Sequence, residues 1–145
     1  MAYPETDRPQ SRNFLYEIMM ILPVAALCAA MAVSSLYQTA GAARRAHALD
    51  TGMNHVQTAA DLMSAHAGDM LALSDVFPYG RLEADGSFSV YFDDEMEALR
   101  GMDGAAFSIS VQPAVINGLL GTSDVSLHAK DGDIIWMITA SWQAD

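Results

Sequence analysis

The side chains with chemistry to offer are four histidines, one cysteine, many serines and a run of carboxylates. His47, His55 and His66 stand 8 and 11 residues apart, and His128 lies far downstream. A helical metal site needs ligands about one turn apart, so that both point to one side. No pair of histidines has that spacing, and each reads as a surface or packed residue. No Gly-x-Ser-x-Gly elbow is present to expose a nucleophilic serine. No glycine-rich phosphate or dinucleotide loop occurs either. The acidic group Asp93, Asp94, Glu95 and Glu97 offers oxygen ligands for Ca²⁺ but lacks the spacing of an EF-hand loop. The simpler expectation is that Asp94 caps a short helical turn ending at Gly101, with the other carboxylates in water. Cys28 has no partner in the chain, so no internal disulfide can form. The residues therefore assign no catalytic, cofactor-binding or metal-ligating position, and the chain reads as a non-enzyme.

Glu17 is a different case, because it heads a long apolar run. Ile18 to Thr39 is a stretch of 22 residues without a charge. At about 1.5 Å per residue, such a helix crosses a hydrocarbon core of about 30 Å. A secretory signal has an apolar region of only about 7–15 residues. Ala40-Gly41-Ala42 resembles a cleavage site, but a cut there would split a continuous helical pattern. Pro23 lies inside the run and is the expected place for a kink; a membrane helix tolerates it where neighbours satisfy the freed carbonyl. Arg8 and Arg12 before the run balance Arg44 and Arg45 after it, so the positive-inside rule gives a tie. The short leader and the position of the folded part, wholly after the run, place the N-terminus in the cytoplasm.

The chain has 145 residues and a net charge of −11, enough for one small domain beside the apolar run. From Gln38 onward there are 15 acidic and 5 basic residues, a net charge of −10. That surface excludes nucleic acid, whose phosphates demand clustered Lys and Arg. Anionic headgroups would also repel it. The excess is mostly a solvated face that disfavours acidic partners and allows basic ones.

These features organise the chain into four segments. Residues 1–13 hold Pro4 and Pro9 and read as a disordered cytoplasmic leader. Residues 14–39 form the membrane half of a helix. Residues 40–70 form its amphipathic half, with an apolar stripe of Ala42, Ala46, Leu49, Met53, Val56, Ala60, Met63, Ala67 and Met70 at heptad steps. Gly68 ends the helix, and Asp69 caps a short second one through about Phe77. Residues 71–145 then hold an antiparallel β domain. Strands are predicted at Ser87–Phe92, Ala106–Val111, Ser123–Ala129 and Ile134–Trp142, each with period-two alternation. Pro113 stops the second strand. Asp131-Gly132 predicts a two-residue hairpin before the last strand, whose inward face is Trp136, Ile138 and Trp142. The fold class is α+β: a long N-terminal helix packed on a meander of about four strands, with the Ala/Met stripe covering one face.

This layout resembles the type IV pilin-like proteins, which include minor pilins and the pseudopilins of type II secretion. The motif-level likeness rests on Asn13-Phe14-Leu15-Tyr16-Glu17 and the apolar run behind it. In that family a Phe and then a Glu head the helix. The resemblance implies that Phe14 and Glu17 set the axial register of assembly, with Glu17 paired to a neighbouring subunit's N-terminal amine. It further implies a single-pass protein of a bacterial cytoplasmic membrane with its C-terminal domain outside the cytoplasm. The implied partners are the membrane, other pilin-like subunits and a prepilin peptidase; no cofactor is implied. Two departures stand out. The peptidase normally cuts after Gly, and the leader has none. Counting from Phe14 makes Glu17 fourth, where the family has its Glu fifth. The alternative is a single-pass anchored binding protein unrelated to pili.

Overall fold

The computed structural model describes the backbone of residues 10–144 and the side chains of residues 14–144. The described residues form a helix α1 (Gln10–Ala65), a short helix α2 (Leu71–Val76) and seven strands. The strands are β1 (Arg81–Leu82), β2 (Phe88–Phe92), β3 (Ala98–Leu99), β4 (Phe107–Val111), β5 (Val115–Asn117), β6 (Leu120–Ala129) and β7 (Ile134–Gln143). The fold class is thus α+β, as the patterning predicts. Most of the leader lies outside the described residues, but Gln10–Asn13 already belong to α1.

α1 runs through Pro23 and on past Tyr37 and Leu49 without a linker. The chain divides into two compact units, one ending at Ala43 and one beginning at Arg44. In the first, every described side chain is exposed. In the second, Ala48, Val56, Ala59, Ala60 and Met63 are buried in one core with the sheet, and Gly52 is buried with them. This corrects the predicted stripe. Val56, Ala60 and Met63 hold their places, but Ala42, Ala46 and Ala67 are exposed and Leu49 and Met53 only half-buried. A straight α-helix drifts by about 20° per heptad from a 3.5-residue repeat. A stripe written in strict heptads therefore turns off the covered face at Leu49 and Met53, where Ala48 and Gly52 are buried instead, while Ala42 and Ala46 precede the covered stretch and Ala67 lies past the end of the helix.

The helix stops where Ala67 and Gly68 take positive φ (51° and 85°) and the Gly68 N–H bonds the Met63 carbonyl at 2.8 Å. Any side chain at Gly68 would run into the Trp142 indole, so the stop is also a packing point. Asp69 Oδ1 then accepts the Leu71 N–H at 2.9 Å, which starts α2.

The four long strands form the predicted antiparallel meander, in the order β2, β4, β6, β7. Three short strands extend it. β1 and β3 both pair with the free side of β2, and β5 pairs with the start of β6 beyond the end of β4. Phe88, Val90, Phe92, Ile109, Val111, Val125 and Leu127 fill the inner face. The other face is polar, with Ser89, Ser110 and Ser126 aligned across three strands.

Three local expectations are corrected. No helical turn ends at Gly101: Asp93, not Asp94, accepts the Glu95 and Glu97 N–H groups at 3.0 and 2.9 Å and closes a hairpin from β2 to β3. The β6–β7 loop has more than the two predicted residues, because Gly132 (φ 88°) forms a bulge after a turn closed by its N–H to the Ala129 carbonyl. Trp136 shares the inner face with Leu127, its partner across the ladder, yet stays 44% exposed. It stands near the start of the outermost strand, whereas Trp142 near the end of that strand packs at Gly68 and Gly121 and is buried.

Candidate functional site

In the first unit the two residues expected to set assembly register lie on one exposed surface. Phe14 and Glu17 lie on α1 and both are exposed. The side chains from Ile18 to Thr39 are exposed as well. Among the described residues, α1 is the one helix long and apolar enough to cross a membrane. An all-round apolar helix with no protein around it is stable only in an apolar solvent. Cys28 lies on this surface as a free, exposed thiol.

The second unit brings together side chains that lie apart in the motif patterns. His128 Nδ1 lies 3.1 Å from the Gly132 carbonyl, and Nε2 lies 2.8 Å from Ser126 Oγ. A carbonyl only accepts, so Nδ1 carries the hydrogen. In the neutral ring Nε2 is then an acceptor that competes with the Ser110 carbonyl for the one hydrogen of the Ser126 hydroxyl. A serine hydroxyl held by an oriented imidazole is the pattern that activates a nucleophile. Here Ser126 is only 5% exposed, and its hydroxyl also lies 3.3 Å from the Ser110 carbonyl. The nearby half-open cavity of about 230 Å³ is lined by Tyr91, Ser108, Lys130 and Gly132 among others, and not by Ser126. The pair therefore ties the β6–β7 hairpin to the sheet. The signal for it was the i, i+2 spacing of Ser126 and His128, which places both on one face of a strand.

His55 is also more than a surface group. Its ring stacks on Phe92 with centroids 5.3 Å apart and meets Phe77 edge-on at 5.9 Å. Burial lowers its pKa below the ordinary histidine value. The acidic group at Asp93 to Glu97 is a backbone-capping turn. Among the described residues no set of three His, Cys, Asp or Glu side chains is placed to hold a metal ion. Nor does any buried side-chain polar atom there lack a hydrogen-bond partner.

The remaining feature is the rim of the sheet. Ile134, Ile135, Trp136 and Met137 at the start of β7 are all exposed, as are Val115, Ile116, Leu119 and Leu120 at the β5–β6 turn. Period-two alternation could not reveal this, because it marks faces and says nothing of which strand lies outermost. Comparison with protein-family models, with curated proteins and with solved structures finds no match to this chain.

Proposed function

We propose that this chain is a structural subunit of a pilin-like assembly, of the minor pilin or pseudopilin kind found in type II secretion and type IV pilus systems. One observation carries the reading. A single unbroken helix is fully exposed and apolar over its first part, and its last part is the cover of an antiparallel sheet. An ordinary anchored domain needs no such continuity, because a flexible linker would serve it equally. A subunit that stacks by its helix does need it, since a linker would uncouple the two parts.

In this reading the exposed half of α1 lies in the cytoplasmic membrane of a bacterium, with the sheet domain outside the cytoplasm. Glu17 is then a carboxylate at the head of a membrane helix. Such a charge is costly without a partner, and a neighbour's N-terminal amine supplies one. The absence of Gly from the leader favours a second reading, an unprocessed anchored protein that binds partners without polymerising.

The test is photo-crosslinking from position 29 in native membranes, with Glu17 and with Glu17→Gln. An assembly subunit gives adducts with other proteins carrying a long N-terminal helix, and the substitution removes them while the sheet domain stays folded. Equal adducts from both forms would reduce Glu17 to an interfacial residue and leave the anchored reading. Mass spectrometry of the membrane-extracted protein adds a second check. A mature chain starting at Asn13 or Phe14 supports peptidase processing; one starting at Met1 or Ala2 supports the unprocessed anchor.

A further inference from the structure

Among the described residues the sheet ends on an unprotected strand: β7 pairs with β6 on one side and with no strand on the other. Backbone groups alternate in direction along an antiparallel strand. The Ala144 N–H reaches back to the Leu119 carbonyl, so the even-numbered positions from Trp136 face β6. The N–H and C=O groups of Met137, Thr139, Ser141 and Gln143 therefore point away from the sheet. Natural edge strands are blunted by shortness, charge or proline. The opposite edge follows this rule, being split between the two-residue strands β1 and β3. β7 does not: its ten residues include no charge and no proline. The bulge at Leu127/His128 disturbs only its start. Trp136 and Met137 beside it are 44% and 53% exposed.

We propose that β7 docks an extended segment of another protein as an added strand, apolar on the face beside Trp136 and Ile138 and basic on the other. The backbone groups supply the ladder, and cross-strand contact with Trp136 and Ile138 extends the inner face. Charge selects the occupant. Asp131 and Asp133 flank the start of β7, with Lys130 the nearby cation. On the outer face Asp124 accepts the Thr139 hydroxyl at 2.7 Å, which leaves a carboxylate one strand in from the edge. A Lys or Arg opposite Thr139 has that carboxylate within side-chain reach. A second copy of this chain would instead set two domains of the same negative charge side by side.

The test uses the full-length protein in detergent micelles and a labelled heptapeptide alternating Lys and Val. Binding should fall by about tenfold or more when Glu replaces Lys in the peptide. It should fall similarly when the peptide's ladder-forming N–H groups are methylated. Ser141→Pro removes one outward N–H and leaves the β6 ladder whole, so it should weaken binding with the melting temperature unchanged. Equal binding of the Lys and Glu peptides, or of the methylated and unmethylated ones, would overturn the proposal. So would a concentration-dependent dimer that Ser141→Pro abolishes, because the occupant would then be a second copy. Should Ser141→Pro destabilise the domain, the methylated peptide decides the matter on the unaltered protein.

Discussion

The two halves of α1 are built from much the same residues and differ in what surrounds them. Ala, Met, Leu and Val dominate both. From Phe14 to His47 every side chain is exposed, whereas from Ala48 on every third or fourth position is buried under the sheet. Apolar content alone therefore does not mark a core. What separates the halves is where the polar residues fall. In the second half Asn54, Gln57, Thr58 and Asp61 gather on the exposed side, and the small residues keep the other. A one-sided helix asks for a protein surface, and an all-round one asks for a different solvent.

The sharpest way to break this comparison is to place one charge in each half. Val56 is fully buried and Ala29 fully outside any core. Val56→Asp puts an unpaired carboxylate among Val, Met and Phe side chains and should cost more than about 3 kcal/mol. Thermal melting of the sheet domain would then fall steeply or disappear. Ala29→Asp should leave that melt where it is. Its cost appears on membrane insertion instead, about 2.5–3.5 kcal/mol at a helix centre, and is read as loss from the carbonate-resistant membrane fraction. If Ala29→Asp lowered the domain melt as far as Val56→Asp, the halves would not be energetically separate.

A smaller contrast lies in the two glycines. A Cβ at Gly52 would sit 2.8 Å from Leu127 Cδ2 and 3.1 Å from Met96 Cε, whereas one at Gly41 meets nothing within 4 Å. Leu127 is fully buried and has little room to yield. Gly52→Val should therefore overpack the helix–sheet interface and cost about 1–3 kcal/mol, seen in a denaturant melt. Gly41→Ala adds about 0.5–1 kcal/mol of helix propensity where no packing opposes it, and the domain melt should not fall. A neutral Gly52→Val would mean that helix and sheet approach less closely at this point than Leu127 implies.

These two positions also show what was legible in the sequence. Phe88, Val90, Phe92, Phe107, Ile109, Val111, Val125 and Leu127 announce their strands, because alternation records burial on one face directly. Val56, Ala60 and Met63 are legible in the same way. Ala48, Gly52 and Ala59 are not. Small residues carry little hydrophobic signal, yet closeness of approach makes them the contact face. Trp136 misleads for the opposite reason: a large aromatic in phase with the core reads as buried, yet on the same strand Trp142 packs at Gly68 and Gly121 and is buried while Trp136 stays exposed. The short strands β1, β3 and β5 span too few residues to show any period. The Ser126–His128 link has a local signal in its i, i+2 spacing, but the aromatic seat of His55 depends on which strands and helices become neighbours, which no local pattern states.

His55 gives the finest test of the covered half, because it is a polar ring seated where the helix meets Phe77 and Phe92. Burial there disfavours the charged ring and lowers its pKa from the ordinary value of 6.5. In the unfolded chain the same ring titrates near that ordinary value. Between the lowered folded value and about 6.5 the unfolded state binds more protons, so stability rises with pH. The contribution is fully present above about 6.5 and is lost as the pH falls through the folded value. Asp85, the other group whose pKa is displaced, is held below the ordinary carboxylate value by hydrogen bonds from the Ser87 hydroxyl and N–H. The melting temperature of the full-length protein should thus fall gently from about pH 7.5 to about 5.5, the range that brackets the histidine titration. His55→Phe keeps an aromatic ring between Phe77 and Phe92 and removes the proton site, so its melting temperature should fall less across that range than the parent's. If His55→Phe kept the parent's slope, the ring would have to be wetter than its two aromatic neighbours imply, and the boundary between the exposed and covered halves of α1 would move toward Ala59.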